Sequence, residues 1–173
     1  MNIAIQQLRR YSMVKVMPLL MVTALLLPFL IHLIPTQSGI PIGAYLLPMF
    51  YVPFLALVLY RFNAALIIAL LAPLANFLLT GNPNWGFLAI LTLEVVVFTL
   101  FAWKILNSRF GWFAAPMAII GAKIVSTCLL WIVPLLETAP ITYFVSSVSN
   151  GVTGIMILLL LNLAVIRFYK KTT

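Results

Sequence analysis

The sequence predicts an all-α, polytopic membrane protein with six transmembrane helices and both termini in the cytoplasm. Three observations carry this prediction. Hydrophobic residues make up 65% of the 173-residue chain and charged ones only 7%, whereas a soluble domain keeps roughly a quarter of its residues charged. The apolar residues gather into six stretches, each near the ~20 residues that a helix needs to cross a bilayer. The loops between the stretches alternate between basic and uncharged, and that alternation sets the orientation.

The elements follow in order. The first stretch, 14–34, comes after Arg9, Arg10 and Lys15 and could pass for a secretory signal. It runs on for about twenty residues with no small-x-small cleavage site before Pro35, so it reads as a retained helix. Pro35, Gly39, Pro41 and Gly43 separate it from the second, 43–60, which stops at Arg61-Phe62-Asn63. The third, 63–80, ends at Gly81-Asn82-Pro83-Asn84, and the fourth, 86–106, at the polar turn from Asn107 to Gly111. The fifth, 112–136, stops between Glu137 and Pro140, and the sixth, 141–167, completes a single transmembrane domain over residues 1–173.

Arg9, Arg10 and Lys15 lie in the N-terminal segment, Arg61 in the second loop, Lys104 and Arg109 at the fourth, and Arg167, Lys170 and Lys171 at the C-terminus. The first, third and fifth loops have no Lys or Arg. Positive residues stay inside, so the odd loops face out. The net charge of +8 would suggest nucleic acid in a soluble protein. Placed at helix ends it points to anionic headgroups of the lipid bilayer, and no nucleic-acid partner is expected. The single cysteine, Cys128, supports neither a disulfide framework nor a thiolate metal site.

Small residues recur about once per turn in three stretches: Ala65, Ala69 and Ala72; Ala114, Ala118 and Ala122; Ser147, Gly151 and Gly154. Such faces let helices approach closely in lipid. Prolines at 18, 28, 48, 53, 73, 116 and 134 predict bent helices, which make room for a cavity.

Two charges fall well inside stretches, where charge is expensive and faces the bundle interior or a wet cavity. Glu94 is eight residues from the outer end of the fourth stretch, about 12 Å deep at 1.5 Å per residue. Lys123 is thirteen residues from the outer end of the fifth, about 20 Å deep. The side chains can meet if their helices are neighbours. Two readings stand: a buried pair that fixes packing, or a pair that meets a charged ligand. Stability alone is a weak reason to bury an ion pair.

Polar and aromatic groups also gather toward the outer face: Asn76, Thr80, Asn82, Asn84 and Trp85; Thr127 and Trp131 beside Lys123; and Tyr143, Ser147 and Asn150 on one stripe. Thr36, Gln37 and Ser38 follow His32 in the first outer loop. An apolar-walled pocket with a few hydrogen-bonding groups is how small-molecule sites are made. The substrate-binding candidates are therefore Lys123, Glu94, Asn76, Thr80, Trp85, Thr127, Trp131, Tyr143, Ser147 and Asn150. Trp85 and Tyr143 fit equally as interfacial anchors. His32, the lone histidine, reads as an interfacial polar residue, and Asn162 as a helix-pairing one.

No G-x-x-x-x-G-K-[ST], H-E-x-x-H or G-x-S-x-G occurs, and the chain has no Asp. Glu137 belongs to an outer loop. The sequence predicts neither an enzyme nor a metal or cofactor protein, and no catalytic residue is assigned.

The layout resembles the substrate-binding (S) component of energy-coupling factor transporters, a family of vitamin and micronutrient importers. Local sequence adds to it in Gly39-Ile40-Pro41-Ile42-Gly43-Ala44-Tyr45-Leu46-Leu47-Pro48 and in Ala72-Pro73-Leu74-Ala75-Asn76-Phe77-Leu78-Leu79-Thr80-Gly81. The resemblance implies a multi-pass protein of a bacterial or archaeal cell membrane that captures a small-molecule substrate from outside. Its partners would be a transmembrane coupling subunit and two cytoplasmic ATPases. It also implies toppling within the membrane to carry the site inward. The Ala-x-x-x-Ala docking pattern of many members' first helix is absent, since Pro28 stands four residues after Ala24. Two other readings remain. One is a membrane scaffold like the rod-shape-determining membrane subunit, which usually carries an acidic residue near the place of Asn76. The other is a secondary transporter with Glu94 as proton carrier, although residues 14–80 and 86–167 show no inverted repeat.

Overall fold

The computed structural model describes residues 13–34, 41–81 and 84–170. Among these every regular element is helical. The helices are α1 (Met13–His32), α2 (Ile42–Leu46), α3 (Tyr51–Leu59), α4 (Phe62–Thr80), α5 (Trp85–Leu106), α6 (Ala114–Ile132), α7 (Pro140–Asn150) and α8 (Val152–Lys170). Single 3₁₀ turns, Pro48–Phe50 and Gly111–Phe113, lead into α3 and α6.

Several helix boundaries have local causes. Gly81 takes a left-handed conformation (φ 68°) and its N–H bonds to the Phe77 carbonyl, closing α4. Asn84 caps α5, its side chain accepting from the Phe87 N–H at 2.9 Å. The fifth stretch stops at Ile132 rather than 136. Val133 is extended (φ −126°, ψ 105°), as suits a residue that precedes proline.

The second stretch is broken near its start. Leu47 adopts φ 53° and ψ 47°, a left-handed conformation costly for a side chain with a Cβ. Pro48 follows and disfavours helix at the residue before it. The chain therefore makes one turn of helix, breaks at Leu47, and enters α3 through the 3₁₀ turn. The Tyr51 hydroxyl bonds the Leu46 carbonyl across this break. The sixth stretch divides into α7 and α8, bent by 57° around Gly151.

α4, α5 and the segment Gly111–Ile132 are each long and apolar enough to cross a membrane, and α7 with α8 makes a fourth if the bent pair is one span. The apolar parts of α1 (Lys15–Ile31) and of the second stretch (Pro48–Leu59) are shorter. The outward faces carry exposed Leu19, Leu71, Ile124 and Leu160. Such extensive exposed apolar surface is compatible with a hydrocarbon solvent. Hydroxyls on these helices turn inward on their own backbone: Thr23, Thr92 and Thr99 each donate to the carbonyl four residues back at 2.8 Å.

The helices close a ring in the order α1, α4, α5, α6, α8, α2 and back to α1, by pairwise contact. α3 packs against α1, α4 and α5. It is buried on nearly every side, from Tyr51 to Val58 with Leu55 only half-buried, as a helix apolar all round should be. Phe98 of α5 meets Phe50 edge-on at 5.2 Å and Phe54 at 6.3 Å. Ala65, Ala69 and Ala72 on α4 and Ala114, Ala118 and Ala122 on α6 are all buried, so the small-residue faces do turn into the bundle. Gly154 shows why one must be glycine: a Cβ there would lie 2.6 Å from the Leu46 carbonyl oxygen.

Candidate functional site

Two neighbouring helices and one short one bring the interior charges together. α5 and α6 pack side by side along their lengths, and α7 lies on α6. Glu94 sits midway along α5 with 1% of its surface exposed, and Lys123 midway along α6 with 6%. Lys123 Nζ donates to Glu94 Oε2 at 2.6 Å. The other carboxylate oxygen, Oε1, accepts from Ser126 Oγ and from the Tyr143 hydroxyl, both at 2.7 Å. Both oxygens of the buried carboxylate therefore have charge-assisted partners.

Helical spacing explains the arrangement. Ser126 lies three residues after Lys123, on the same face of α6. Its hydroxyl has one hydrogen and two acceptors in range, Glu94 Oε1 and the Lys123 carbonyl at 3.0 Å. The shorter, ionic one takes it. Thr127 instead donates to the Lys123 carbonyl at 2.7 Å and so does not compete. Tyr143 packs with Ile90, one turn before Glu94, and with Leu130 in a small apolar cluster of its own. Its ring centroid is 5.4 Å from Lys123 Nζ, within cation–π range.

Of the ten candidates, Glu94, Lys123 and Tyr143 share this centre. The anchor reading does not apply to Tyr143, which is buried, whereas Trp85 and Trp131 are 70% and 66% exposed. Trp85 instead rests against Phe77, ring centroids 4.4 Å apart. Thr80 donates to the Asn76 carbonyl, and Ser147 to that of Phe144. Asn76, Ser147 and Asn150 are half-buried, and neither they nor Trp85, Thr127 and Trp131 hydrogen-bond the Glu94 or Lys123 side chain. Thr36, Gln37, Ser38 and Asn82 lie outside the described residues, as do Arg9, Arg10, Lys171 and the start of the Gly39–Pro48 segment. Ser126 is not among the ten candidates, and its position one turn beyond Lys123 is the signal that could have found it.

Chemically the centre is a donor set in an apolar shell. An ammonium has three N–H donors, and Nζ makes one hydrogen bond among the described residues. The other two N–H groups have no hydrogen-bond partner among the described residues. No group of three His, Cys, Asp or Glu side chains stands together among the described residues. Asn162, on α8, ties that helix to the start of α6, donating to the Gly111 and Trp112 carbonyls at 3.1 and 2.6 Å.

Comparison with known protein families, with curated proteins and with solved structures finds no match.

Proposed function

We propose that this chain is the substrate-capture subunit of an energy-coupling-factor-type importer, binding a vitamin-like small molecule at the Glu94–Lys123–Tyr143 centre. The supporting observation is the ammonium with unused donors, buried beside an aromatic ring in a nearly uncharged bundle. Stability alone is a poor reason to keep such a group. Lys123 suits a carboxylate or carbonyl of the ligand, and the Tyr143 ring a flat group stacked beside it. In this reading the chain crosses a bacterial or archaeal cell membrane six times, with α1 and the broken Ile42–Leu59 segment completing the count. The basic ends face the cytoplasm, where a coupling subunit and two ATPases would act. α7 is short and bent away from α8 at Gly151, so its displacement would uncover the centre by withdrawing Tyr143.

Native mass spectrometry of the detergent-purified chain tests this. The expected result is a stoichiometric adduct of a few hundred daltons that is lost in a folded variant without Lys123. A folded wild-type chain free of ligand from cells grown in rich medium would move the role to a membrane scaffold of the rod-shape-determining type.

A further inference from the structure

At the opposite end of the bundle from the α5–α6 outer ends, four chain segments surround a cleft of about 660 Å³. They are the corner between α3 and α4, the end of α5, the 3₁₀ entry to α6, and the last turns of α8. Leu57 and Val165 contribute apolar wall, Trp103 and Trp112 are half-exposed aromatic panels, and Arg61 and Arg109 bring charge. The volume falls in the range of small-molecule sites.

The charge at this cleft has no internal answer. The chain has two acidic side chains. Glu94 is bound to Lys123 in the middle of the bundle, and Glu137 follows α6 at the far end. Among the described residues Arg109 lies over the face of Phe110, 4.8 Å from the ring centroid, with no acidic partner. α4 starts here without a side-chain cap, leaving free N–H groups. The carbonyl ends of α3 and α5 finish at the same place, so the two guanidinium groups set the sign of the potential. Guanidinium is the side chain best matched to phosphate oxygens, and exposed tryptophan beside apolar wall is the pattern of a headgroup-level surface.

We propose that this cleft binds the phosphate headgroup of an anionic phospholipid, with Arg61 and Arg109 on the phosphate and Trp103 and Trp112 flanking the glycerol and first acyl methylenes. The site requires membrane embedding but not the capture role, so either can fail alone. The test is native mass spectrometry of the full chain in detergent, titrated with phosphatidylglycerol or phosphatidylcholine. Phosphatidylglycerol should be retained in preference. R61Q/R109Q should weaken it roughly thirtyfold, the equivalent of about 1 kcal/mol for each of two lost charge–phosphate contacts. R61K/R109K should keep most of the binding. Lys104→Gln, at an exposed lysine of α5 outside the cleft, should leave it unchanged. Both arginines are exposed, so the fold survives their loss, and equal melting temperatures would verify that. An equal loss in the Lys104 variant, or none in R61Q/R109Q, would overturn the proposal. Millimolar inorganic phosphate should fail to displace the lipid. Displacement with the same arginine dependence would assign the cleft to a free phosphate and overturn the lipid.

Discussion

Removing one member of the Glu94–Lys123 pair should hurt the protein more than removing both charges. Lys123→Met leaves the Glu94 carboxylate, 1% exposed, without its ammonium and with only the two hydroxyl donors on Oε1. Glu94→Gln leaves the ammonium buried and unpaired. Breaking a buried pair from one side costs about 3–5 kcal/mol, whereas replacing the whole pair by well-packed apolar residues of similar volume is often neutral. In E94Q/K123M the amide oxygen at position 94 still accepts from Ser126 and Tyr143; the amide N–H2 then faces the methionine at some cost, but no charge is left buried. The double variant should therefore be more stable than either single one, with a coupling energy on the order of 3 kcal/mol. Reversible unfolding in mixed detergent micelles, with helical signal followed against the denaturing fraction, measures all four corners of the cycle. Losses that add to within about 0.5 kcal/mol would show that the two charges do not depend on each other. The double variant also separates stability from ligand binding, since it should fold yet hold no ligand at position 123.

Two further outcomes follow from the same contacts. Tyr143→Phe keeps the ring against Ile90, Leu130 and Lys123 and deletes only the hydroxyl bond to Glu94. A bond to a charged group contributes about 1.5–3 kcal/mol, and the same unfolding assay should show that loss; a change under about 0.5 kcal/mol would mean that Ser126 suffices for Oε1. Gly154→Ala puts a Cβ 2.6 Å from the Leu46 oxygen and 2.7 Å from its carbonyl carbon. Backbone cannot swing aside as a side chain can, so a loss of about 1–3 kcal/mol is expected. A variant as stable as the parent would show that α2 and α8 do not pack in this register.

The all-helical class and several helix ends were legible because their causes are local. Gly81 and Asn84 mark the turn between α4 and α5 through one backbone conformation and one capping bond. Glu94 and Lys123 announced themselves by being charged where everything around them is apolar. The break at Leu47 was less visible. Pro48 hints at it, but it is the burial of Leu47 beside Gly151 and Gly154 that accommodates a left-handed leucine. The aromatics were ambiguous for a similar reason. Trp85, Trp131 and Tyr143 occupy comparable places near helix ends, and only the seating of α7 on α6 turns Tyr143 inward.

By itself, then, the sequence determined the all-helical class, the positions of the breakers and the identity of the interior charges. Transfer free energy and backbone preference belong to each residue and its near neighbours, so they can be read along the chain. The tertiary structure decided that α3 is enclosed, that Ser126 rather than Thr127 serves the carboxylate, and that Arg61 and Arg109 line one cleft. Those outcomes depend on which helices are adjacent and how each is rotated about its axis. That is settled by the sum of contacts across the bundle, which no single stretch of sequence contains.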